Sequence, residues 1–389
     1  MNRDTVEPFW NTETLAECVR NLGHTQPQQF ADSLQDYLGG GKVFLMASGR
    51  EALREFLARL LPVGSTVLMC SFNCWAVADA ALRAGLRVET FDLASPQGGV
   101  DWARVASRLE RRHGAVLVTH FFGAPSNFQE LFDAARATHT IIVEDCAHAL
   151  GAKLDDRNVG TVGDAAIFSF NHDKPISLAG GGALSINNAS LLDRFDKPDC
   201  AVTFDEEFQQ LSEYLRAVSQ YRWWIRYSDG PWKQLQRAMR VAKWLPSQIP
   251  TKTTSIGPLR AALGCWQLQR YCEIVQKRND NAQYLTQGLE PIFWEKDPNT
   301  TPAWLRQKVV LPGRDVCRIE RHLRRHGLRV GRWNWHQSLE HRLGGTTPVH
   351  AAHVAAQGLD VPIHQNMTRY ELDMIRSAIL SLTATAMAA

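Results

Sequence analysis

The sequence predicts an α/β fold in which helices cover both faces of a mostly parallel sheet. From Lys42 onward, short apolar segments of strand length alternate with amphipathic segments of helical length. This alternation is typical of parallel strands joined by crossover helices. The 389 residues, of which 44% are hydrophobic and 21% charged, are too many for one simple core. We therefore expect a second, small α+β domain at the C-terminal end.

The elements of the large domain follow from the apolar periodicity. Strands are predicted at residues 43–46, 66–70, 88–91, 115–119, 140–143 and 165–170, and helices at residues 49–61, 76–84 and 126–138. Open sheets of this kind bind ligands at the carboxyl ends of their strands. We therefore expect the functional side chains at those ends.

The alternation stops after Asn188, and the remaining chain is predicted to be more helical. A helical stretch at 200–250, one long amphipathic helix at 259–289, a strand at 309–311, a helix at 316–326 and a strand at 328–332 follow in order. The predicted division is an N-terminal helical segment (1–41), a large ligand-binding domain (42–199), a helical insertion rich in Trp and Arg (200–258), and a long helix with the small C-terminal domain (259–389).

Composition argues against several classes of function. A net charge of +3 gives no case for nucleic acid as the main partner. No apolar run approaches the ~18 residues of a membrane-spanning helix, and residues 1–10 lack the apolar region of a signal peptide, so we expect a cytoplasmic protein. None of the eight cysteines forms a CxxC pair. The histidines at 336, 341, 350 and 353 lack clean metal spacing, so no metal site is expected.

The stretch 141–186 carries residues suited to a pyridine cofactor. Glu144 and Asp145 end a predicted strand, where a carboxylate can pair with a protonated ring nitrogen and keep the ring an electron sink. Lys174 follows Asp145 at a spacing of 29 residues, and a lysine in a partly desolvated site can form a Schiff base with an aldehyde. Ser169 is placed to donate a hydroxyl hydrogen bond to a phosphate.

These motifs resemble those of the DegT/DnrJ/EryC1/StrS aminotransferases, the sugar-aminotransferase branch of the fold type I pyridoxal-phosphate enzymes. The resemblance covers most of the chain and includes FADSLQDYLGGGKVFLMASGREAL, THFFG, EDCAHALGA, GTVGD, FSFNHDK, RAALGCWQLQRYCEIVQKRNDNAQYL and LDVPIHQNMTRYELDMI. It implies a fold type I transferase with pyridoxal 5'-phosphate as cofactor. It also implies a homodimer with shared active sites.

The resemblance implies a role for each matching residue. Lys174, which three residues separate from the F-S-F triplet, would carry the cofactor covalently. Asp145 would contact the pyridine nitrogen, and His148 would lie against the ring or its hydroxyl side. Ser169 would bind the phosphate. His148 also fits the alternative role of a hydrogen-bonded core histidine, and His120, at another strand end, is interpreted as mainly structural.

The phosphate and the ring face would involve the first two strand ends. The backbone at Ser48, Gly49 and Arg50 opens a predicted helix, whose N-terminus attracts anions. An aromatic residue after the second strand would stack on the ring. Trp75 is the first candidate and Phe72 the second, although either residue could instead serve core packing.

The chain departs from the family in three places. Arg50 stands where the family usually has Thr, and it would bind either the phosphate or the substrate. The element that usually contains N-Y-R reads TKTTSIGPLR here, so Thr253, Thr254 or Ser255 would have to reach the partner subunit's phosphate. Residues 200–250 are longer and richer in tryptophan than is usual.

A basic, tryptophan-rich segment at 221–245 lies within this divergent region. It contains six Lys or Arg residues against one Asp, together with four of the twelve Trp residues. Such a segment can lie on a membrane surface or dock an acidic partner. Packing over the active site or against the second subunit is the interpretation that we favour, since such stripes are commonly core.

The function expected from these features is transfer of an amino group in two half-reactions. The resemblance implies glutamate or glutamine as the donor and a keto-sugar or keto-cyclitol as the acceptor. A carbonyl acceptor tethered to a carrier or a lipid is an alternative, as is a pyridoxal-phosphate enzyme of another reaction type. Lys174 argues against the related sugar dehydratases, which carry His at that position.

Overall fold

A computed structural model describes residues 12–20, 26–196, 202–203, 205–213, 256–289, 294, 296–311, 316–328, 330–331, 339, 343 and 348–387. Three predictions concern residues wholly or mostly outside these ranges. They are the contact of Thr253, Thr254 or Ser255 with the partner's phosphate, the placement of the tryptophan-rich segment at 221–245, and the helical stretch at 200–250, of which only 202–203 and 205–213 are described.

A seven-stranded sheet forms the centre of the described structure. The strands up to residue 186 are β1 Lys42–Met46, β2 Thr66–Cys70, β3 Arg87–Phe91, β4 His113–Thr119, β5 Ile141–Asp145, β6 Lys153–Leu154, β7 Arg157–Asn158, β8 Ala165–Ser169 and β9 Gly182–Ile186. The spatial order of the sheet is β1-β9-β8-β5-β4-β2-β3. Strands β2, β3, β4, β5 and β8 pair in parallel, and β9 is antiparallel to both of its neighbours. The predicted mostly parallel sheet is confirmed.

Helices cover both faces of this sheet. They are α1 Thr12–Arg20, α2 Pro27–Leu38, α3 Gly49–Leu60, α4 Trp75–Arg83, α5 Trp102–Ala106, α6 Leu131–Thr138 and α7 Ala189–Leu192. Alternate residues of β2 enter two separate cores: Leu68 packs in a cluster with residues of α2, and Val67 packs in another with residues of α3 and α4. This alternation is the consequence of the two-residue period of a strand buried on both sides.

Two elements of the large domain differ from the sequence-based prediction. The fully buried strand β9 was not predicted. The helix predicted from residue 126 begins instead at Leu131. The backbone N–H of Ser126 donates to His120 Nδ1 at 3.0 Å, and that of Asn127 donates to Asp297 at 2.6 Å. Side chains thereby hold these two residues outside the helix.

The C-terminal part contains the helices α8 Pro258–Leu268, α9 Tyr271–Thr286, α10 Val316–Arg325, α11 Val349–Gln357 and α12 Arg369–Met387. Its strands are β10 Thr300–Thr301, which pairs with β6, and β11 Gln307–Val310 and β12 Gly358–Val361, which form a two-stranded antiparallel sheet. The strand predicted at 328–332 is represented only by an isolated bridge from Gly331 to Asp360 within the described residues. The proposed domain boundaries remain predictions.

The single helix predicted at 259–289 is broken into α8 and α9. A turn at Gln269 and Arg270 separates the two helices. Arg270 donates to the carbonyl of Trp266 at 3.0 Å, and its guanidinium lies 4.3 Å from the Trp266 ring centroid. Tyr271, which begins α9, is fully buried and donates to the carbonyl of Leu150 at 2.8 Å. This long-range contact changes the direction of the chain at Tyr271. The local spacing of apolar residues does not predict such a contact.

Within the described residues, no helix combines the length and the apolar character needed to cross a membrane.

Candidate active site

A cavity of about 390 Å³ lies at the carboxyl ends of the central strands. Its walls include Ser48 after β1, Cys74 after β2, Phe121 after β4, Asp145 at the end of β5 and Ser169 at the end of β8. In a parallel sheet the carboxyl ends share one edge, so residues far apart in sequence meet there. The cavity also contains His148 and Lys174. The sequence-based expectation of a site at this edge agrees with the position of the cavity.

Lys174 projects from the turn that follows β8. Its Nζ atom lies 3.1 Å from His148 Nε2 and 3.6 Å from Asp173 Oδ2. The His148 ring is stacked at 24° on Phe122, a residue whose φ of 58° lies in the left-handed region. Such a conformation is strained for a bulky side chain. Phe122 thus holds the histidine that contacts the lysine amine.

Asp145 is a buried carboxylate with one satisfied oxygen. The backbone N–H of Ala147 donates to Oδ1 at 3.1 Å, and Oδ2 accepts no hydrogen bond from the described residues. Burial raises the pKa of Asp145 above its ordinary value, although the Ala147 N–H and the charges of Lys174 and His120 act in the opposite direction. A cationic N–H donor in the cavity would satisfy the free oxygen and favour the ionised form. The protonated nitrogen of a pyridine ring is such a donor.

The N-terminus of α3 also lines the cavity. Ser48 caps the helix, since its hydroxyl accepts from the Glu51 N–H at 3.1 Å. Gly49 lies so close to β8 that an added Cβ would be 3.1 Å from the Phe168 carbonyl oxygen and 3.2 Å from Ser169 Cβ. The first N–H groups of a helix lack intrahelical partners and attract anions. Ser48, Gly49 and the Ser169 hydroxyl therefore form a cradle suited to a phosphate.

Arg50 lies at the rim of the cavity. Its side chain is 46% exposed, and its NH1 atom lies 3.5 Å from Asp79 Oδ2. Asp79 also pairs with Arg83 at 2.9 Å, so it has a second cation. Because the Arg50 contact is long and partly solvated, little free energy is lost when the guanidinium turns to an anion in the cavity.

The two candidates for a residue that stacks on the ring, Trp75 and Phe72, do not line the cavity. Trp75 begins α4 and packs against the apolar cluster of α3 and α4, and it is not among the residues that line the cavity. Phe72 is fully buried and stacks at 5.7 Å on Trp294. Cys74, just before the helix, lines the cavity instead. Burial raises the pKa of the Cys74 thiol, so the thiol is neutral beside Lys174.

Sequence reasoning missed several polar residues of the cavity. Asn73 donates to Thr119 Oγ1 at 2.8 Å across the ends of β2 and β4. Asn171 and Asp173 line the cavity within the turn that carries Lys174. Because these residues directly follow predicted strands, the sequence could have identified them as cavity residues. Nothing in the sequence indicated Arg306, which immediately precedes β11 and contacts Asp173.

His120, which lines the cavity, forms a buried pair with Glu144. The His120 Nε2 atom lies 3.0 Å from Glu144 Oε2, and its Nδ1 accepts from the Ser126 N–H. Glu144 also accepts three backbone N–H groups from residues 160–163 at 2.7 to 2.8 Å. Burial raises the pKa of Glu144, but His120 and these donors outweigh it and lower the pKa. Cys146 is near, yet the occupied histidine and carboxylate atoms favour a structural role.

Residues 12–380 match the model of the DegT/DnrJ/EryC1/StrS aminotransferase family. Among curated proteins, UDP-4-amino-4,6-dideoxy-N-acetyl-beta-L-altrosamine transaminase of Campylobacter jejuni subsp. jejuni serotype O:23/36 (strain 81-176) is 30% identical over 175 residues, which cover 44% of this chain and 46% of the relative. The chain thus spans about half the length of the first curated relatives that it matches.

Solved structures share the fold over nearly the whole chain. The aminotransferase TlmJ from Streptoalloteichus hindustanus has a TM-score of 0.75 and 21% identity, with full coverage of both chains. GDP-4-keto-6-deoxy-D-mannose-3-dehydratase of E. coli, solved with bound hydrated PLP, has a TM-score of 0.73 and 16% identity, covering 97% of this chain and 99% of that one. One fold therefore accommodates two reaction types, and the residues of the site must distinguish them.

Proposed function

Because the chain belongs to the DegT/DnrJ/EryC1/StrS aminotransferase family, we propose that it is a pyridoxal-phosphate-dependent aminotransferase whose cofactor is attached to Lys174. The observation that carries the proposal is that two complementary sets of groups line one cavity. One set is an amine with a buried carboxylate that has a free oxygen, and the other is a helix N-terminus with a serine hydroxyl. Bound pyridoxal phosphate supplies an electron sink for the bond that breaks at the substrate carbon.

The side chains of Asp145, His148 and Lys174 would contact the cofactor ring and move protons. Lys174 Nζ would carry a proton between the α-carbon of the donor and the cofactor. His148 Nε2, 3.1 Å from that nitrogen, would orient the amine and contact the hydroxyl side of the ring. Asp145 Oδ2 would accept a hydrogen bond from the ring nitrogen and keep it protonated, which preserves the electron sink. The raised pKa of Asp145 in the absence of a cationic partner supports this assignment.

The residues at the N-terminus of α3, together with Ser169 at the end of β8, would bind the phosphate. The N–H groups of Gly49 and Arg50 and the hydroxyls of Ser48 and Ser169 would supply the donors. The guanidinium of Arg50 lies close enough to the rim to leave Asp79 and add a charge-assisted contact to the phosphate or to an anionic substrate. The neutral Cys74 would take the position on the ring face that the sequence assigned to Trp75.

The proposed donor is glutamate or glutamine, and the proposed acceptor is a keto-sugar or a related carbonyl compound in sugar, polysaccharide or natural-product biosynthesis. The matching Campylobacter protein is a transaminase of an amino sugar linked to UDP, which supports this substrate class. A carbonyl acceptor linked to a carrier or lipid is the alternative, in keeping with the divergent insertion at 200–258. Lys174 favours amino transfer over the dehydration performed by the related E. coli enzyme.

Assembly and location form part of the same proposal. We infer a homodimer in which each active site contains residues of both subunits, with Thr253, Thr254 or Ser255 reaching the partner's phosphate. The resemblance to fold type I enzymes supports this arrangement. We also propose a cytoplasmic location, which cell fractionation would test.

The first prediction concerns attachment of the cofactor to Lys174. Protein incubated with pyridoxal phosphate and reduced with borohydride should carry the adduct on the peptide containing Lys174. Addition of glutamate before reduction should release the cofactor from the lysine and convert it to the amine form, which is visible as a change in absorbance. Lys174→Ala should abolish both signals and turnover, while retaining the phosphate contacts.

Lys153→Ala is the matched control, because Lys153 is an exposed lysine on β6. This variant should behave as the wild type does in both assays. An adduct mapped to any lysine other than Lys174 would refute the cofactor assignment. An adduct on Lys174 that no amino donor converts would instead refute amino transfer and leave the cofactor assignment intact. The full reaction should show ping-pong kinetics.

A further inference from the structure

Five charged side chains of alternating sign run from the active-site cavity into the small antiparallel sheet. Lys174 Nζ lies 3.6 Å from Asp173 Oδ2, and the same oxygen lies 3.7 Å from Arg306 NH2. Arg306 NH1 is 3.5 Å from Asp360 Oδ2, and Asp360 Oδ1 is 3.0 Å from Lys308 Nζ. Arg306 immediately precedes β11, Lys308 lies on β11, and Asp360 lies on β12.

The inner end of this charge chain is rigid. Lys308 and Asp360 are buried, and Phe122 lies 5.7 Å from the Lys308 ammonium in a cation–π arrangement. A buried pair with one short contact holds its geometry, because separation of the partners would leave an unpaired charge. Asp360 therefore provides a fixed anchor for Arg306. Arg306 is itself only 11% exposed.

The outer end of the chain is looser and faces the cavity. Asp173 is 31% exposed and lines the cavity, whereas Arg306 contacts it from behind. Burial raises the pKa of Asp173, but the charges of Lys174, His172, Arg306 and His148 outweigh it and hold the pKa well below its ordinary value. A lowered pKa favours the ionised form of Asp173 at neutral pH.

We propose that Asp173, anchored by Arg306, is a positioning residue that holds the Lys174 amine at the cavity and stabilises the protonated form of its nitrogen. The proposal rests on the function proposed for Lys174. In a transfer reaction, Nζ must hold a proton after removing it from the donor carbon and before delivering it to the cofactor. A carboxylate beside an amine favours the ammonium form. Asp173 stays ionised throughout and exchanges no proton itself.

Arg306 would limit the strength of this ion pair. A carboxylate shared between two cations at 3.6 and 3.7 Å binds neither of them in a short contact. Asp173 thus keeps the Lys174 amine nearby at 3.6 Å while Nζ keeps its shorter contact, 3.1 Å, with His148. Among the described residues, the titratable groups that interact with Asp173 are Lys174 and His172 of its own turn, His148 of the loop after β5, Arg306 of the small sheet and Cys74 of the loop after β2.

The test measures the protonation of Lys174 directly in the full-length protein without added cofactor. Acetic anhydride labels only neutral amines, and peptide mass spectrometry reports labelling of Lys174 at a series of pH values. In Asp173→Asn, the pH of half-maximal labelling should fall by about one unit, as expected when a carboxylate next to an amine is removed. Asp173→Glu restores the charge and should return the midpoint toward that of the wild type.

The matched control is Asp133→Asn, which removes the same charge from a 99% exposed position on α6. Its labelling midpoint should equal that of the wild type. Thermal unfolding of every variant shows whether the fold is retained. A folded Asp173→Asn protein with an unchanged midpoint would overturn the proposal. So would an Asp173→Glu protein whose midpoint stays at the lowered value, because the effect would then depend on something other than charge.

A second readout separates this proposal from the function on which it rests. Capture of pyridoxal phosphate by Lys174, trapped with borohydride, should follow the same shift of pH midpoint in Asp173→Asn. If Lys174 of the wild type never captures pyridoxal phosphate, the proposed function fails, whatever the labelling experiment shows. If capture occurs with identical pH dependence in wild type and Asp173→Asn, only the positioning role of Asp173 is overturned.

Discussion

Ionised Asp145 would favour binding of the cofactor, but it lowers the stability of the cofactor-free protein. The carboxylate is buried, and its Oδ2 atom accepts no hydrogen bond from the described residues. Its pKa is raised by burial, so ionisation costs free energy in the folded protein unless a cation is added. The pyridine nitrogen would be that cation. A residue that is unfavourable until its ligand binds is typical of a functional site.

The next prediction follows from this raised pKa. For an acid whose pKa is raised by folding, the stabilising contribution is full below the unfolded-state pKa and is lost as the pH rises through the folded-state pKa. Asp145→Asn, which keeps the acceptor for the Ala147 N–H, should therefore stabilise the cofactor-free protein at neutral pH. The sign of this gain follows from the direction of the shift, because Asn cannot ionise and avoids the cost of a buried charge. The gain should vanish toward pH 4, near the unfolded-state pKa of about 3.9.

The same Asp145→Asn substitution should weaken cofactor function. Loss of a charge-assisted hydrogen bond of about 1.5–3 kcal/mol corresponds to a drop of about 10- to 100-fold in turnover. Urea unfolding of the cofactor-free protein and steady-state kinetics of the loaded protein measure the two effects. A variant with wild-type turnover would show that another carboxylate contacts the ring. A variant less stable than the wild type at neutral pH would contradict the account of the buried charge.

At the scale of elements, the phosphate cradle depends on the close approach of α3 to β9. An added Cβ at Gly182 would lie 2.3 Å from the Gly49 nitrogen and 2.4 Å from the Ser48 carbonyl carbon. Both neighbours are backbone atoms, so they cannot move independently of the helix. The glycine at the start of β9 therefore allows the N-terminus of α3 to reach the edge of the sheet, where Ser169 completes the cradle.

Gly182→Ala should consequently separate α3 from β9 and weaken cofactor binding. Overpacking of this kind typically costs about 1–3 kcal/mol, which corresponds to roughly a 10- to 100-fold rise in the Kd for pyridoxal phosphate if the distortion acts on the cradle. Fluorescence titration with the cofactor measures this Kd. Gly40→Ala is the control, because the nearest atom to its added Cβ is 3.7 Å away. Equal Kd values for the two variants would show that the cradle does not require this approach.

At the scale of the whole molecule, the prediction is a homodimer with shared sites. Thr253, Thr254 and Ser255, which lie outside the described residues, should complete the phosphate site of the partner subunit. A protein with these three residues replaced by Ala should be inactive, as should Lys174→Ala. After subunit exchange, hybrid dimers should regain activity, because one of their two sites contains neither change.

Sedimentation velocity of the wild type provides the independent measurement for this prediction. The protein should sediment as a dimer at the concentrations at which it is active. A monomer that is fully active at nanomolar concentration would refute the shared site. A stable dimer whose hybrids stay inactive would place both the lysine and the phosphate contacts within a single subunit.

The sequence by itself determined the class of fold and predicted which central residues line the cavity. Strand and helix periods are local properties, so β2 was predicted at its observed bounds and β1 and β3 to within one residue. Side chains at the ends of parallel strands share one edge of the sheet, which is why Asp145, Ser169 and Lys174 could be expected to meet. The order of these residues also identified the family over most of the chain.

Tertiary structure alone decided which neighbours each side chain contacts. Arg306 meets Asp173 across more than a hundred residues, and Tyr271 breaks a helix by reaching Leu150. Cys74 rather than Trp75 faces the cavity, because α4 begins at Trp75 and directs the indole into the adjacent core. Periodicity specifies which face of an element is apolar. Contacts between distant elements depend on how those faces pack, and that is determined only when the whole chain is folded.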